Sequence, residues 1–397
     1  MPTDDLRVKS AALKFVLMIG ALSFFADFTY EGSRSITGPF LALLGASALV
    51  VGVVSGLGEL LGYGLRVFSG QLSERTGRFW PIAFFGYTVQ MASVPLLALA
   101  GNWRIAALLI VTERIGKAIR NPPRDVMLSH AAKQIGFGWG FGLHEALDQF
   151  GALLGPLLVA FTLAAHGGYR RAFAVLLIPA AIVLVLLAVA RWLYPRPESL
   201  ESAAADVHAG GLPRIFWIYM AGSALVAAGF ADFPLIAYHF EKTRVVAPDW
   251  VPILYSVAMA VSGAGSLIFG KLLDRIGAVM LVPLTVVALL FAPLVFLGNF
   301  WLAVAGAALW GLGMGVHESV IPAIVASMVP TQRRPSAYGV FTAAYGISWF
   351  IGSAAIGALY GVSIFAVTAF CVLTQLASIP LFVTVQRRLR VRGASDF

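Results

Sequence analysis

The chain has 397 residues, 59% of them hydrophobic and 12% charged, against about 25% charged in an ordinary soluble domain. So much apolar surface exceeds what one or two globular cores can bury. One cysteine and abundant Leu, Val, Ile and Phe exclude a disulfide scaffold, a thiolate zinc site and disorder.

A bilayer-crossing helix needs about 20 apolar residues. Apolar runs lie at residues 13–43, 47–69, 79–101, 103–120, 139–165 and 170–194, and then at 214–240, 250–271, 278–298, 300–328, 335–361 and 363–386. Twelve spans leave little chain over. The first run is too long for a signal peptide's apolar region and lacks an A-x-A cleavage site, so it counts as a span. The polar stretch 195–213 divides the spans six and six, which predicts a six-helix bundle over 1–194, a linker over 195–213 and a second bundle over 214–397.

With both termini on one side, that side collects twenty of the 28 Lys and Arg. The other side holds only Arg104, Arg170, Arg171, Lys242 and Arg244. This positive-inside bias predicts cytoplasmic termini. It also accounts for the net charge of +9 without a nucleic-acid partner.

The turn after the second span reads Gly70-Gln-Leu-Ser-Glu74-Arg75-Thr-Gly77-Arg78, and the turn after the eighth reads Gly270-Lys-Leu-Leu-Asp274-Arg275-Ile-Gly277. Both fit G-x-L-x-[DE]-R-x-G, two hundred residues apart and at equivalent places in the two halves. The first glycine suits close helix approach and the second a tight reversal. The acid can meet a helix N-terminus or an arginine, and the arginine anchors the turn at the headgroups. On this doubled signature, the span count and the linker, the sequence resembles the major facilitator superfamily over its whole length. Glu74 stands where that family usually has Asp, and Phe79 where a second basic residue is common. The resemblance implies an all-α membrane protein of two pseudo-symmetric six-helix bundles around a central cavity, working by alternating access. A weaker echo pairs Phe25-Ala-Asp27-Phe with Phe230-Ala-Asp232-Phe, although Asp232 lies about five residues further into its helix.

Ionisable groups in the hydrocarbon cost roughly 2.5–3.5 kcal/mol or more, so each needs a cavity or a partner. Span one carries Asp27, Glu31 and Arg34 on one face. Glu31 and Arg34 read as a pair bracing the outer mouth. Asp27, near mid-membrane with no basic residue a turn before it, reads as functional. Span two has Glu59, a candidate for pairing with another span, and Arg66, which can snorkel. Its glycines Gly52, Gly56, Gly58, Gly62 and Gly64 read as close packing.

Span four brings Glu113, Arg114 and Lys117, with a cytoplasmic cluster Arg120–Asp125 whose prolines should end the helix. Arg114 is too deep to snorkel and serves either a relay or a structural ion pair with span one, two or five. By resemblance it matches a buried span-four arginine of proton-coupled members. Span five holds His144, Glu145 and Asp148. Two carboxylates three residues apart share a face and cannot readily both ionise in low dielectric, so one is expected to carry a proton; the alternative is that they neutralise Arg114 or Lys117. The run Gly151, Gly155, Pro156 resembles the antiporter motif of family exporters, with Val159 and Ala160 in place of its closing glycines. In the second half the candidates are Asp232, His317 and Glu318.

These readings predict a membrane transporter of small solutes that exchanges an organic or cationic solute for protons in the cytoplasmic (inner) membrane. It needs no cofactor and works as a monomer. The surplus of first-half acids over Arg34, Arg66 and Arg114 underlies the preference for protons or cations. Export of a metal ion through His144, Glu145 and Asp148 is an alternative, and so is a non-transporting receptor. No catalytic triad, H-E-x-x-H or phosphate-binding loop supports an enzyme or an ATP-driven pump.

Overall fold

The computed structural model describes residues 2–195, 212–329 and 334–395. The side chains of Glu74, Asp274 and Glu318 lie outside the described part, as does most of the expected linker. The described residues are helical and contain no strand.

The helices follow the expected spans in order. They are α1 (Pro2–Leu43), α2 (Ala48–Thr76), α3 (Phe79–Leu96), α4 (Trp103–Ile135) and α5 (Phe137–Ala164), then α6 (Gly168–Val175) with α7 (Leu177–Leu193) as one broken span. The second half opens with α8 (Arg214–Ala228) and α9 (Phe233–Thr243), followed by α10 (Trp250–Ile276). The pair α11 (Leu281–Ala288) and α12 (Phe291–Leu297) forms one broken span, and α13 (Phe300–Gly315) joins α14 (Ile321–Met328) through a π-helical turn. The last two are α15 (Arg334–Tyr360) and α16 (Ile364–Ser395). Among the described residues, ten helical stretches are long and apolar enough to cross a bilayer. The other two expected spans are α4, whose charges lower its hydropathy, and α13–α14.

Two compact units emerge: Met1–Gly45 with Leu61–Ala204, and Ala46–Leu60 with Ala205–Phe397. The first half of α2 therefore groups with the second unit, a division that falls inside a helix and not only at residues 195–213. The reason is close backbone approach. A Cβ on Gly52 would meet the Ser353 carbonyl, and one on Gly56 would meet Phe350, both on α15. Gly62 and Gly64, expected to pack as well, have nothing within 4 Å.

The doubled signature turn folds alike in both copies. Gly77 and Gly277 take φ of +64° and +63°, a left-handed conformation that favours glycine. Each donates its N–H to the residue four before it, Ser73 and Leu273. Arg75, Arg78 and Arg275 are exposed. The expected tight approach at Gly70 is looser: a Cβ there would sit in ordinary contact, 3.6 Å from Pro122.

Candidate functional site: a buried ionic seam in the first unit

Three helices of the first unit carry polar or small residues at the same 4-3-4 spacing. These are Ser23, Asp27, Tyr30 and Arg34 on α1; Glu113, Lys117, Arg120 and Arg124 on α4; and His144, Asp148, Gly151 and Gly155 on α5. That spacing keeps one helical face, and the three faces meet. Glycines set the distance between them. A Cβ on Gly151 would strike the Phe24 carbonyl and one on Gly155 the Phe28 carbonyl, so α5 lies directly on the α1 backbone. Gly86 and Gly116 cross in the same way and bring α3 onto α4.

Asp27 sits at the centre. Its Oδ1 accepts from Arg120 Nη2 at 3.1 Å and lies 3.7 Å from Lys117 Nζ. Arg120 is fully buried; it also donates from Nε to Gln90 Oε1 and from Nη1 to the Tyr87 hydroxyl at 3.0 Å. Gln90 in turn donates to Glu113 Oε1 at 2.8 Å, and Glu113 lies 3.8 Å from Arg114 Nε. Lys117 and Arg114 stand over the Tyr30 ring, 3.6 and 4.9 Å from its centroid, with Arg34 at 6.0 Å. Below Asp27, Arg124 pairs with Asp125 at 2.8 Å and donates to Ser23 Oγ at 3.2 Å. Ser23 Oγ is 2.8 Å from His144 Nε2.

Several expectations change. Asp27 has basic partners after all, supplied by α4 and not by its own helix. Arg120, expected in a cytoplasmic cluster, is wholly buried, because Pro122 and Pro123 do not end α4. Pro122 cannot donate to the Ala118 carbonyl, and Ser69 Oγ of α2 fills that role at 2.9 Å. Glu145 and Asp148 differ in setting: Glu145 is exposed and accepts from Gln149 at 3.0 Å, while Asp148 is half-buried. Asp148 Oδ1 is buried without a hydrogen-bond partner among the described residues. Its charged neighbours are Asp27, Arg124, Glu145 and Arg120.

The acidic surplus also disappears. Buried on α1 and α4 are Asp27, Glu31 and Glu113 against Arg34, Arg114, Arg120 and Arg124. Arg66 is exposed, and Glu59 is half-buried on the stretch of α2 that groups with the second unit. Among the described residues no three His, Cys, Asp or Glu stand together as a metal group. His144 is engaged by Ser23 instead.

In the second unit Asp232 is buried at the start of α9 and accepts from Trp349 Nε1 at 3.1 Å and Ser353 Oγ at 2.7 Å, both on α15. Asp27 is held by α4, so the two aspartates of the weak echo are bound by different elements. His317 lies in the π-helical turn, against Tyr345 through Nδ1 and against the rings of Phe230 and Trp349.

Apolar helices long enough to cross a bilayer, enclosing a buried ionic seam, fit a polytopic membrane protein. A Major Facilitator Superfamily profile matches residues 17–353 and 233–394, and the chain belongs to that superfamily. It is 41% identical over 387 residues to an uncharacterised protein of Mycobacterium tuberculosis, covering 96% of this chain and 95% of that one. An uncharacterised MFS-type transporter of Methanocaldococcus jannaschii is 27% identical, covering 88% of this chain and 89% of its own. The multidrug resistance protein MdtH of Yersinia pestis matches a shorter stretch, 29% identical over 151 residues, or 38% of this chain and 36% of that protein. In fold it is similar to the nucleoside transporter NupG, with a TM-score of 0.75 at 15% identity over 94% of this chain and 98% of that one.

Proposed function

We propose that this transporter exports a small organic solute in exchange for protons, by alternating access, as a monomer in the cytoplasmic (inner) membrane with both termini inside. The observation that carries the coupling is Asp148: a carboxyl with a buried, unbonded oxygen beside the Arg124–Ser23–His144 chain. Such an oxygen is costly to leave bare. A proton relieves that cost in one state; on its loss Arg124, which already senses Asp148, can exchange Asp125 for it. Protonation thereby becomes a change of ion pairing between α4 and α5, which is the kind of local event that biases a two-state bundle. The gradient supplies about 2.3 kcal/mol per charge per 100 mV. The export direction draws on the stretch shared with the multidrug resistance protein and on the α5 glycine-proline run, which packs α5 against α1 at Phe24 and Phe28.

The test is transport into proteoliposomes under an imposed pH gradient, screening candidate solutes. Asp148→Asn should lose gradient-driven accumulation and keep exchange between equilibrated compartments; Glu145→Gln should behave as wild type. Normal gradient-driven transport by Asp148→Asn would remove the proton role.

A further inference from the structure

The cations of the seam are not equally matched. Arg124 has Asp125 at 2.8 Å, and Arg120 has Asp27 at 3.1 Å together with Gln90 and Tyr87. Among the described residues, Lys117 makes no ion pair closer than a 3.7 Å approach to the same Asp27 oxygen that Arg120 already holds; beside it are the face of Tyr30 and, further off, the Glu113 carboxylate. One carboxylate thus serves two cations, and the ammonium is the poorer served. An incompletely matched buried charge is costly. Next to it the Tyr30 hydroxyl is buried with no hydrogen-bond partner among the described residues, its residue only 2% exposed. This corner is also the reachable part of the seam: the side chains of Lys117 and Asp27 keep 18% and 12% exposure, where Arg120 keeps none.

We infer that the transported solute carries a compact oxyanion, a carboxylate or phosphoryl group, which docks on Lys117 Nζ and the Tyr30 hydroxyl with the Arg114 guanidinium alongside. The inference rests on the transporter reading above and deepens it. An arriving oxyanion takes a charge-assisted hydrogen bond from the ammonium and a second from the phenol. Asp27 is then released wholly to Arg120. Lys117, Arg114 and Arg34 around the ring offset Glu31 and Glu113, so a cationic solute finds no surplus of acid there. In a cell negative inside, the membrane potential adds to the outward drive on an anion.

The test uses the full chain, purified in nanodiscs, with four probes of similar size: benzoate, phenyl phosphate, benzyl alcohol and benzylamine. Saturable shifts of the unfolding temperature report binding. Benzoate or phenyl phosphate, but not the alcohol or amine, should stabilise the wild type. Lys117→Gln and Tyr30→Phe should each weaken that binding about tenfold, the loss of one charge-assisted bond. If the glutamine variant fails to fold, Tyr30→Phe carries the test, with Lys117→Arg, which keeps the charge, expected to retain anion binding. Binding of the amine alone, binding of no anion, or anion binding undiminished in Lys117→Gln and Tyr30→Phe overturns the inference. The two proposals fail separately. If a bound anion is exchanged but never driven by a pH gradient, the oxyanion corner stands and proton coupling falls. If a gradient drives a solute without an anionic group, equally well in Lys117→Gln, the corner falls and coupling stands.

Discussion

At the residue scale, the Asp27–Arg120 contact decides whether the first unit holds together. Arg120 has no exposed surface and spends its donors on Asp27, Gln90 and Tyr87. Removing one partner of a buried pair leaves an uncompensated charge and typically costs about 3–5 kcal/mol, whereas replacing both with neutral groups of similar shape costs far less. Arg120→Gln alone should therefore destabilise the protein strongly, and Asp27→Asn on top of it should restore part of the loss. A thermal-unfolding double-mutant cycle in detergent measures this; equal, additive losses would show that the contact is energetically idle. Lys117 enlarges the Asp27→Asn effect taken alone, since its long contact with Asp27 is lost too, and for the same reason the rescue is only partial. What could be read in advance at this scale was the presence of unusual charges, not their pairing. Asp27 has no basic residue a turn before it on its own helix, and its partners lie 90 and 93 residues further on at Lys117 and Arg120.

At the element scale, glycine positions matter more than glycine counts. Gly151 and Gly155 let α5 rest on the carbonyls of Phe24 and Phe28, while Gly62 of α2 and Gly142 of α5 have nothing within 4 Å. Gly155→Val should thus push α5 off α1, with an overpacking cost of about 1–3 kcal/mol or more, and lower both the unfolding temperature and the folded yield. Gly142→Val carries the same helix-propensity change without the collision and serves as the control; equal loss in both would mean that propensity, not the α1 contact, is responsible. The span-five motif was legible because it is a local run. The Gly86–Gly116 crossing was not, because each glycine is unremarkable in its own helix and the pair matters only where α3 meets α4. Pro122 misled for the opposite reason. A local rule ends a helix there, but the carbonyl it strands is satisfied by Ser69 of another helix. The 4-3-4 spacing shared by α1, α4 and α5 was the signal that could have joined these residues, since charges repeating on one face of an apolar helix need a facing partner.

At the scale of the whole molecule, the twelve helical segments, the doubled turn and the family were readable because each rests on hydropathy or a repeat along the chain. Orientation rests on charge asymmetry alone, and it can be tested with the chain's chemistry. Cys371 is the single cysteine and is fully buried, so an impermeant maleimide should leave the unmodified protein almost unlabelled. Gly101 lies in the exposed α3–α4 turn with nothing within 4 Å, and Lys242 is exposed near the end of α9; Thr76 is exposed at the end of α2. If the side that carries twenty of the 28 basic residues is the cytoplasmic one, Gly101→Cys and Lys242→Cys should label in intact cells. Thr76→Cys should label only after the membrane is opened. The two outer sites come from opposite halves, so the outcome also bears on the repeat. The repeat predicts parallel halves, which would put both sites on one face. A split result, with Gly101→Cys labelled from outside and Lys242→Cys from inside, would mean that the halves enter the membrane in opposite senses, and would remove the geometry on which alternating access depends.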